Sequence, residues 1–75
     1  MDIKKQIRLT PNDVDEFVKA SGQCDFDVDV FYNRVIIDAK SILGVLSLDL
    51  NQTLTVRYGE NNELFEETLQ KFSVA

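Results

Sequence analysis

The sequence predicts an α+β fold: a four-stranded antiparallel sheet with helices on one face, in the order β-α-β-β-α-β-α. Two observations carry this. Four short stretches have strand-type patterning and three have helix-type patterning with recognisable start signals, and the two kinds follow one another without a linker, repeat or low-complexity segment. Strands and helices in that order pack most simply as one sheet covered by one helical layer.

Each element rests on its own residues. Ile3, Ile7 and Leu9 share one parity, with Lys4, Gln6 and Arg8 between them, which is a half-buried strand; Lys5 breaks the pattern. Thr10-Pro11 then opens a helix, because the threonine oxygen can cap free amides and proline at the first helical position loses no hydrogen bond. Asp13, Asp15 and Glu16 complement the positive helix end, Val14, Phe17 and Val18 form the buried stripe, and Ser21-Gly22 closes it. Phe26, Val28 and Val30 alternate with Asp25, Asp27 and Asp29, a second strand with one wet face. Tyr32-Asn33-Arg34 supplies a tight turn, and Val35-Ile36-Ile37 returns as a β-branched third strand. Ser41 to Leu50 reads as a short, largely apolar helix. After Asn51-Gln52 a fourth strand places Leu54, Val56 and Tyr58 on one side. Gly59 breaks the chain, and Asn61 or Asn62 opens a last helix with Leu64, Phe65, Leu69 and Phe72 facing the core.

Composition bounds the function. Seventy-five residues suit one small domain, 1–75, in which folding buries only ~60% of the extended-chain surface. With 44% hydrophobic and 28% charged residues the chain is globular in composition. A lone Cys24 cannot staple the fold, which fits a reducing, cytoplasmic compartment. No apolar run is long enough to span a bilayer, and the residues after Lys4-Lys5 are too polar for a signal peptide. Net charge is −5, from 13 acidic and 8 basic residues, so a nucleic-acid backbone would repel the chain.

The catalytic inventory is poor. There is no histidine, and no acid pair sits at a recognisable spacing. Cys24 lies between Gln23 and Asp25, which disfavours a thiolate, so it reads as a small residue leading into a strand. Asp25, Asp27 and Asp29 resemble the opening of a calcium loop, but the places that need glycine and glutamate hold Val30 and Ile36. The triplet reads instead as the solvent face of a strand, its charge discouraging edge pairing. Three scattered glycines make no phosphate loop. Neither an enzyme, a metal nor a cofactor is expected.

One stretch is more informative: Asp38-Ala-Lys40-Ser41-Ile42-Leu43-Gly44-Val45-Leu46-Ser47-Leu48. It resembles the start of the second helix of HPr, the phosphocarrier of the bacterial sugar phosphotransferase system (PTS), where a Lys-Ser-Ile-Met-Gly-Val-Met-Ser-Leu-type run carries a regulatory serine. The gapless match extends from Phe26 to Leu48, and the rest agrees in element order. The resemblance implies an HPr-like open-faced β-sandwich and a protein-binding role. It implies Ser41 as acceptor for an HPr kinase, with Lys40, Ile42, Leu43, Leu46 and Ser47 lining a docking patch.

The family carries its phosphoryl group on a histidine in a Gly-(Ile/Leu)-His-Ala-Arg-Pro-Ala loop. Here Arg8-Leu9-Thr10-Pro11-Asn12-Asp13 runs almost directly from strand to helix. Without gaps Thr10 takes the histidine position and Asn12 the arginine position; with loop residues deleted, Thr10 is simply a new cap. Two carboxylates within about 5 Å of a phosphate would cost a few kcal/mol at intermediate dielectric, so Asp13, Asp15 and Glu16 also argue against anion binding. The resemblance therefore implies a catabolite-repression-type paralogue that has lost carrier activity. Its partners would be a kinase, a transcriptional regulator or PTS proteins.

Ser41 has a purely structural reading as a helix cap worth ~1 kcal/mol. Ile42, Leu43, Val45, Leu46, Leu48 and Leu50 make the second helix apolar on most sides, so some are expected at the surface. Either a partner protein, the third helix or a second copy of the chain covers them, the last giving a homodimer with a purely structural or self-associating role. Gly44 is expected at a close approach, since it weakens a helix.

Overall fold

The computed structural model describes residues 2–74. Its strands are β1 (Ile3–Ile7), β2 (Val28–Tyr32), β3 (Val35–Asp38) and β4 (Leu54–Tyr58), and its helices α1 (Val14–Gly22), α2 (Ile42–Leu46) and α3 (Glu63–Phe72), with a 3-10 turn at Pro11–Asp13. The four strands form one antiparallel sheet in the order β1-β4-β2-β3. This is the expected open-faced α+β sandwich.

Register sorts the side chains. Ile7, Leu54, Val28, Val30, Val56 and Tyr58 point to the helical layer and are buried, where they meet Val14 and Phe17 of α1, Val45 of α2 and Phe65, Leu69 and Phe72 of α3. The other face carries two cross-strand rows: Lys4, Arg57, Asp29 and Asp38, then Gln6, Thr55, Phe31 and Ile36. Arg57 pairs with Asp29 at 3.0 Å and lies over the Phe31 ring at 5.4 Å. Lys5 pairs in register with Val56 and so sits on the helical side, where its ammonium is 3.7 Å from Glu66 of α3. An ion pair at the sheet margin thus accounts for the broken alternation in β1.

Several elements depart from expectation. β1 ends at Ile7, and Leu9 is buried beyond it. Val18 is only partly buried beside the core. β2 begins at Val28, so Asp25 and Asp27 lie in the bend before it and only Asp29 is on the strand; β2 is moreover an interior strand, with no edge to protect. Phe26, outside the strand, stacks on Tyr58 with ring centroids 6.1 Å apart. α2 is five residues long and stops at Leu46, not Leu50. Leu64 does not face the core and is 71% exposed. Phe65, Leu69 and Phe72 repeat at four and three residues, and Leu64 falls one residue off that stripe.

Candidate functional site

Two places carry the residues singled out above: the start of α1 and the exposed side of α2. At the first, Thr10 is extended (φ −92°, ψ 164°) and precedes the 3-10 turn. Its role as cap is the reverse of the expected one. The Asp13 carboxylate reaches back to accept the Thr10 backbone N–H at 2.8 Å and the Thr10 hydroxyl at 3.0 Å. The neighbouring charges are also engaged: Asp15 with Lys19 at 3.0 Å, Glu16 with Lys71 of α3 at 2.6 Å, and the Arg8 guanidinium on the Asn51 carbonyl at 2.7 Å. A carboxylate lies at this helix start, and the Arg8 guanidinium is turned to the Asn51 carbonyl. The arrangement caps a helix.

At the second place, Ser41 is extended (φ −100°, ψ 109°) and its hydroxyl oxygen accepts the Gly44 N–H at 3.1 Å. This is a serine cap on a one-turn helix. The Ser47 hydroxyl donates to the Gly44 carbonyl at 2.5 Å, closing the other end. Asp38 is held by the Lys40 backbone N–H at 2.9 Å, and the Lys40 ammonium donates to the Cys24 carbonyl, 3.1 Å away at the end of α1. That bond ties the loop before α2 to α1, so Lys40 points across to α1 and not at the Ser41 hydroxyl.

α2 is apolar on both sides, as its sequence implies, but only one side is buried. Val45 is fully buried and Leu48 nearly so, whereas Ile42, Leu43 and Leu46 are 43, 78 and 46% exposed. Lys40, Ser41 and Ser47 are exposed too. α2 packs on α1 and β3, and α3 does not cover the patch. A Cβ on Gly44 would come within 2.6 Å of Ile37 Cγ2, the close approach that glycine was expected to permit.

Cys24 is buried, with its thiol 3.6 Å from the Ala20 carbonyl, and burial pushes its pKa up, with Asp25 adding to the effect and Lys40 opposing it. That environment disfavours a nucleophile. Tyr58, on the core side of β4, donates to the Glu66 carboxylate; burial first, then that bond and the Glu66 charge, drive its pKa upward. Sequence reasoning missed this contact, which joins residues eight apart through the turn between β4 and α3. It also missed the exposure of Val35 and Ile36, since a β-branched run looks alike at the centre and at the edge of a sheet. Among the described residues no group of three or more His, Cys, Asp or Glu side chains is placed to hold a metal, and no helix is long and apolar enough to cross a membrane.

The sequence matches no protein family and no curated protein. The fold does have solved counterparts. The described sheet and three helices define an HPr-like open-faced sandwich. The crystal structure of the phosphocarrier protein HPr from Bacillus anthracis superposes with a TM-score of 0.78 over 96% of this chain and 98% of that one, at 18% identity. At that identity the likeness is one of fold.

Proposed function

We propose that the chain, 1–75, is one HPr-like module that binds proteins and does not carry phosphoryl groups, acting in the cytoplasm without enzymatic activity of its own. The observation that supports this reading best is the patch on α2. Ile42, Leu43 and Leu46 are exposed around a serine, on a fold whose solved counterpart is a phosphocarrier. Apolar side chains exposed together are a common mark of a docking surface. Carrier chemistry has no support from the residues: the chain has no imidazole, and Asp13 occupies the helix start where one would sit.

By the resemblance at Lys40–Leu48, Ser41 is the switch within this surface. A kinase would transfer the γ-phosphoryl of ATP to Ser41 Oγ, the hydroxyl proton being lost and ADP released. The dianion would keep the Gly44 N–H as donor at the positive helix end. Lys40 is the only cation between residues 35 and 56 and its ammonium is turned to the Cys24 carbonyl, so the modified patch would combine a phosphate with three apolar side chains. A transcriptional regulator or a PTS protein is the partner class that such a surface fits.

Incubation with ATP and an HPr kinase, followed by intact mass and fragmentation, tests the switch. The expected result is one phosphoryl group on Ser41, absent from Ser41→Ala. A chain left unmodified under conditions that phosphorylate HPr itself would remove the switch. A phosphoenolpyruvate-dependent label on this chain would remove the claim that it does not carry phosphate.

A further inference from the structure

The sheet has two edges, and they differ. The outer edge of β1 is occupied by residues 72–74: Val74 N–H donates to the Gln6 carbonyl at 3.1 Å, Arg8 N–H to the Phe72 carbonyl at 2.9 Å, and Ser73 bridges Ile7. The outer edge of β3 has no such cover among the described residues. Its orientation follows from the Ala39 N–H, which donates to Val28 in β2 at 2.9 Å. Alternation along an antiparallel ladder then turns Val35 and Ile37 toward β2 and leaves the N–H and C=O of Ile36 directed outward, with the Asp38 N–H beside them. Edge strands are ordinarily guarded by short length, charged side chains, a bulge or a proline; β3, at four residues, is short, and its one charge is Asp38. β3 is paired without a break from Tyr32↔Val35 to Asp29↔Asp38, contains no proline, and exposes Val35 at 51% and Ile36 at 57%.

Charge selects the occupant. Asp38 lies directly across from Asp29, whose counter-ion is Arg57 on β4. Among the described residues Asp38 has no cationic partner and Arg34 has no ion pair. We propose that β3 pairs antiparallel with β3 of a second copy about a two-fold axis through Ile36. That register sets Ile36 against itself, Val35 against Ile37, and Arg34 against Asp38, twice. The row on the open face then continues as Arg57, Asp29, Asp38 and the second copy's arginine, separating the two acids' charge from a purely repulsive pair. The neighbouring row extends as Phe31, Ile36 and then the same two residues of the other copy. Hydrogen-bond phase admits other two-fold registers only in steps of one residue along the axis. Centred on Ile37 the pairing sets Asp38 against Ile36, centred on Val35 it sets Arg34 against Ile36, and centred on Asp38 it sets acid on acid. Only the Ile36 register joins apolar to apolar and opposite charges to each other. The contact is isologous, so it closes at two copies, and it does not depend on the α2 patch.

Sedimentation equilibrium on the full chain across a wide concentration range tests this. The expected result is a weak, reversible monomer–dimer equilibrium. Arg34→Asp and Asp38→Arg each replace two attractive pairs by two repulsive ones and weaken the dimer roughly tenfold or more. An equimolar mixture of the two variants restores it, because the heterodimer contains two opposite-charge pairs. Asp38→Arg also loses the bond to the Lys40 N–H, so far-UV circular dichroism must show it folded; Ile36→Lys, whose side chain faces solvent in the monomer, serves as the second disruptor. A chain that stays monomeric at the highest concentration overturns the proposal. So does a dimer that Arg34→Asp and Ile36→Lys leave unchanged, or one abolished by Leu43→Lys alone, which would place the contact on α2.

Discussion

Gly44 shows how one missing methyl can position an element. Glycine in a helix ordinarily costs up to about 1 kcal/mol relative to alanine, so Gly44→Ala in a solvent-facing helix would stabilise. Here the added Cβ would meet Ile37 Cγ2 at 2.6 Å and the Ser41 hydroxyl at 3.1 Å. Ile37 is β-branched and paired in the sheet, so it cannot swing aside as a long flexible side chain would. Overpacking of this kind costs about 1–3 kcal/mol, which exceeds the helical gain. Gly44→Ala is therefore expected to lower stability by about 1 kcal/mol in urea unfolding, and Ile37→Ala in the same chain to reverse its sign. A stabilised Gly44→Ala single variant would show that α2 rides higher on β3 than described. The same contact bears on Ser41, since lifting α2 moves the Gly44 N–H away from the serine oxygen that caps it.

Between elements, a partly buried polar link runs from β4 to α3. Tyr58 is 2% exposed, packs edge-on against Phe65 at 5.1 Å, and donates to Glu66, whose other oxygen faces Lys5 of β1. Its raised pKa means that the folded state holds the phenolic proton more tightly than the unfolded chain does. The associated stability is complete below the ordinary tyrosine pKa of about 10 and is lost as pH climbs above it, by up to ~1.4 kcal/mol per pH unit for one proton. Urea unfolding is expected to weaken more steeply above pH ~10 in the native chain than in Tyr58→Phe; equal slopes would place the phenol in water. Element existence was legible from residues alone, because alternation in β1, β2 and β4 and the Phe65–Leu69–Phe72 stripe encode which side is buried. Element extent was not. Leu48 and Leu50 continue the apolar pattern of α2, but Ser47 N–H divides between the Leu43 and Gly44 carbonyls and Asp49 turns the chain by accepting the Asn51 N–H at 3.1 Å. Those leucines reach the core from a loop, a distinction that periodicity does not carry. Strand order was equally hidden: Val35-Ile36-Ile37 reads as a β-branched third strand, and nothing in that run shows that it lies at an edge.

At the scale of the whole molecule, the fold superposes on that of a phosphocarrier, while the start of α1 holds a carboxylate folded back on Thr10. The Ser41 cap and the exposure of Ile42, Leu43 and Leu46 were legible from the Lys40–Leu48 run, because local sequence sets both. The state of the α1 start was only half legible: the acids were visible, but not that Asp13 folds back onto Thr10 or that Lys71 draws Glu16 toward α3. This yields a test of whether the missing imidazole is the sole obstacle to carrying phosphate. Thr10→His places an imidazole at the start of α1, yet its backbone N–H would still be held by the Asp13 carboxylate, with Arg8 turned to the Asn51 carbonyl. A phosphoryl group there would sit among acids in a chain of net charge −5, at a cost of a few kcal/mol for two carboxylates about 5 Å away. A phosphoenolpyruvate-driven phosphotransfer assay on Thr10→His is expected to show no stable label, and Thr10→His with Asp13→Ala no more than a trace. Stoichiometric labelling of the single variant would mean that this helix start can hold an anion and that the acids there do not prevent it.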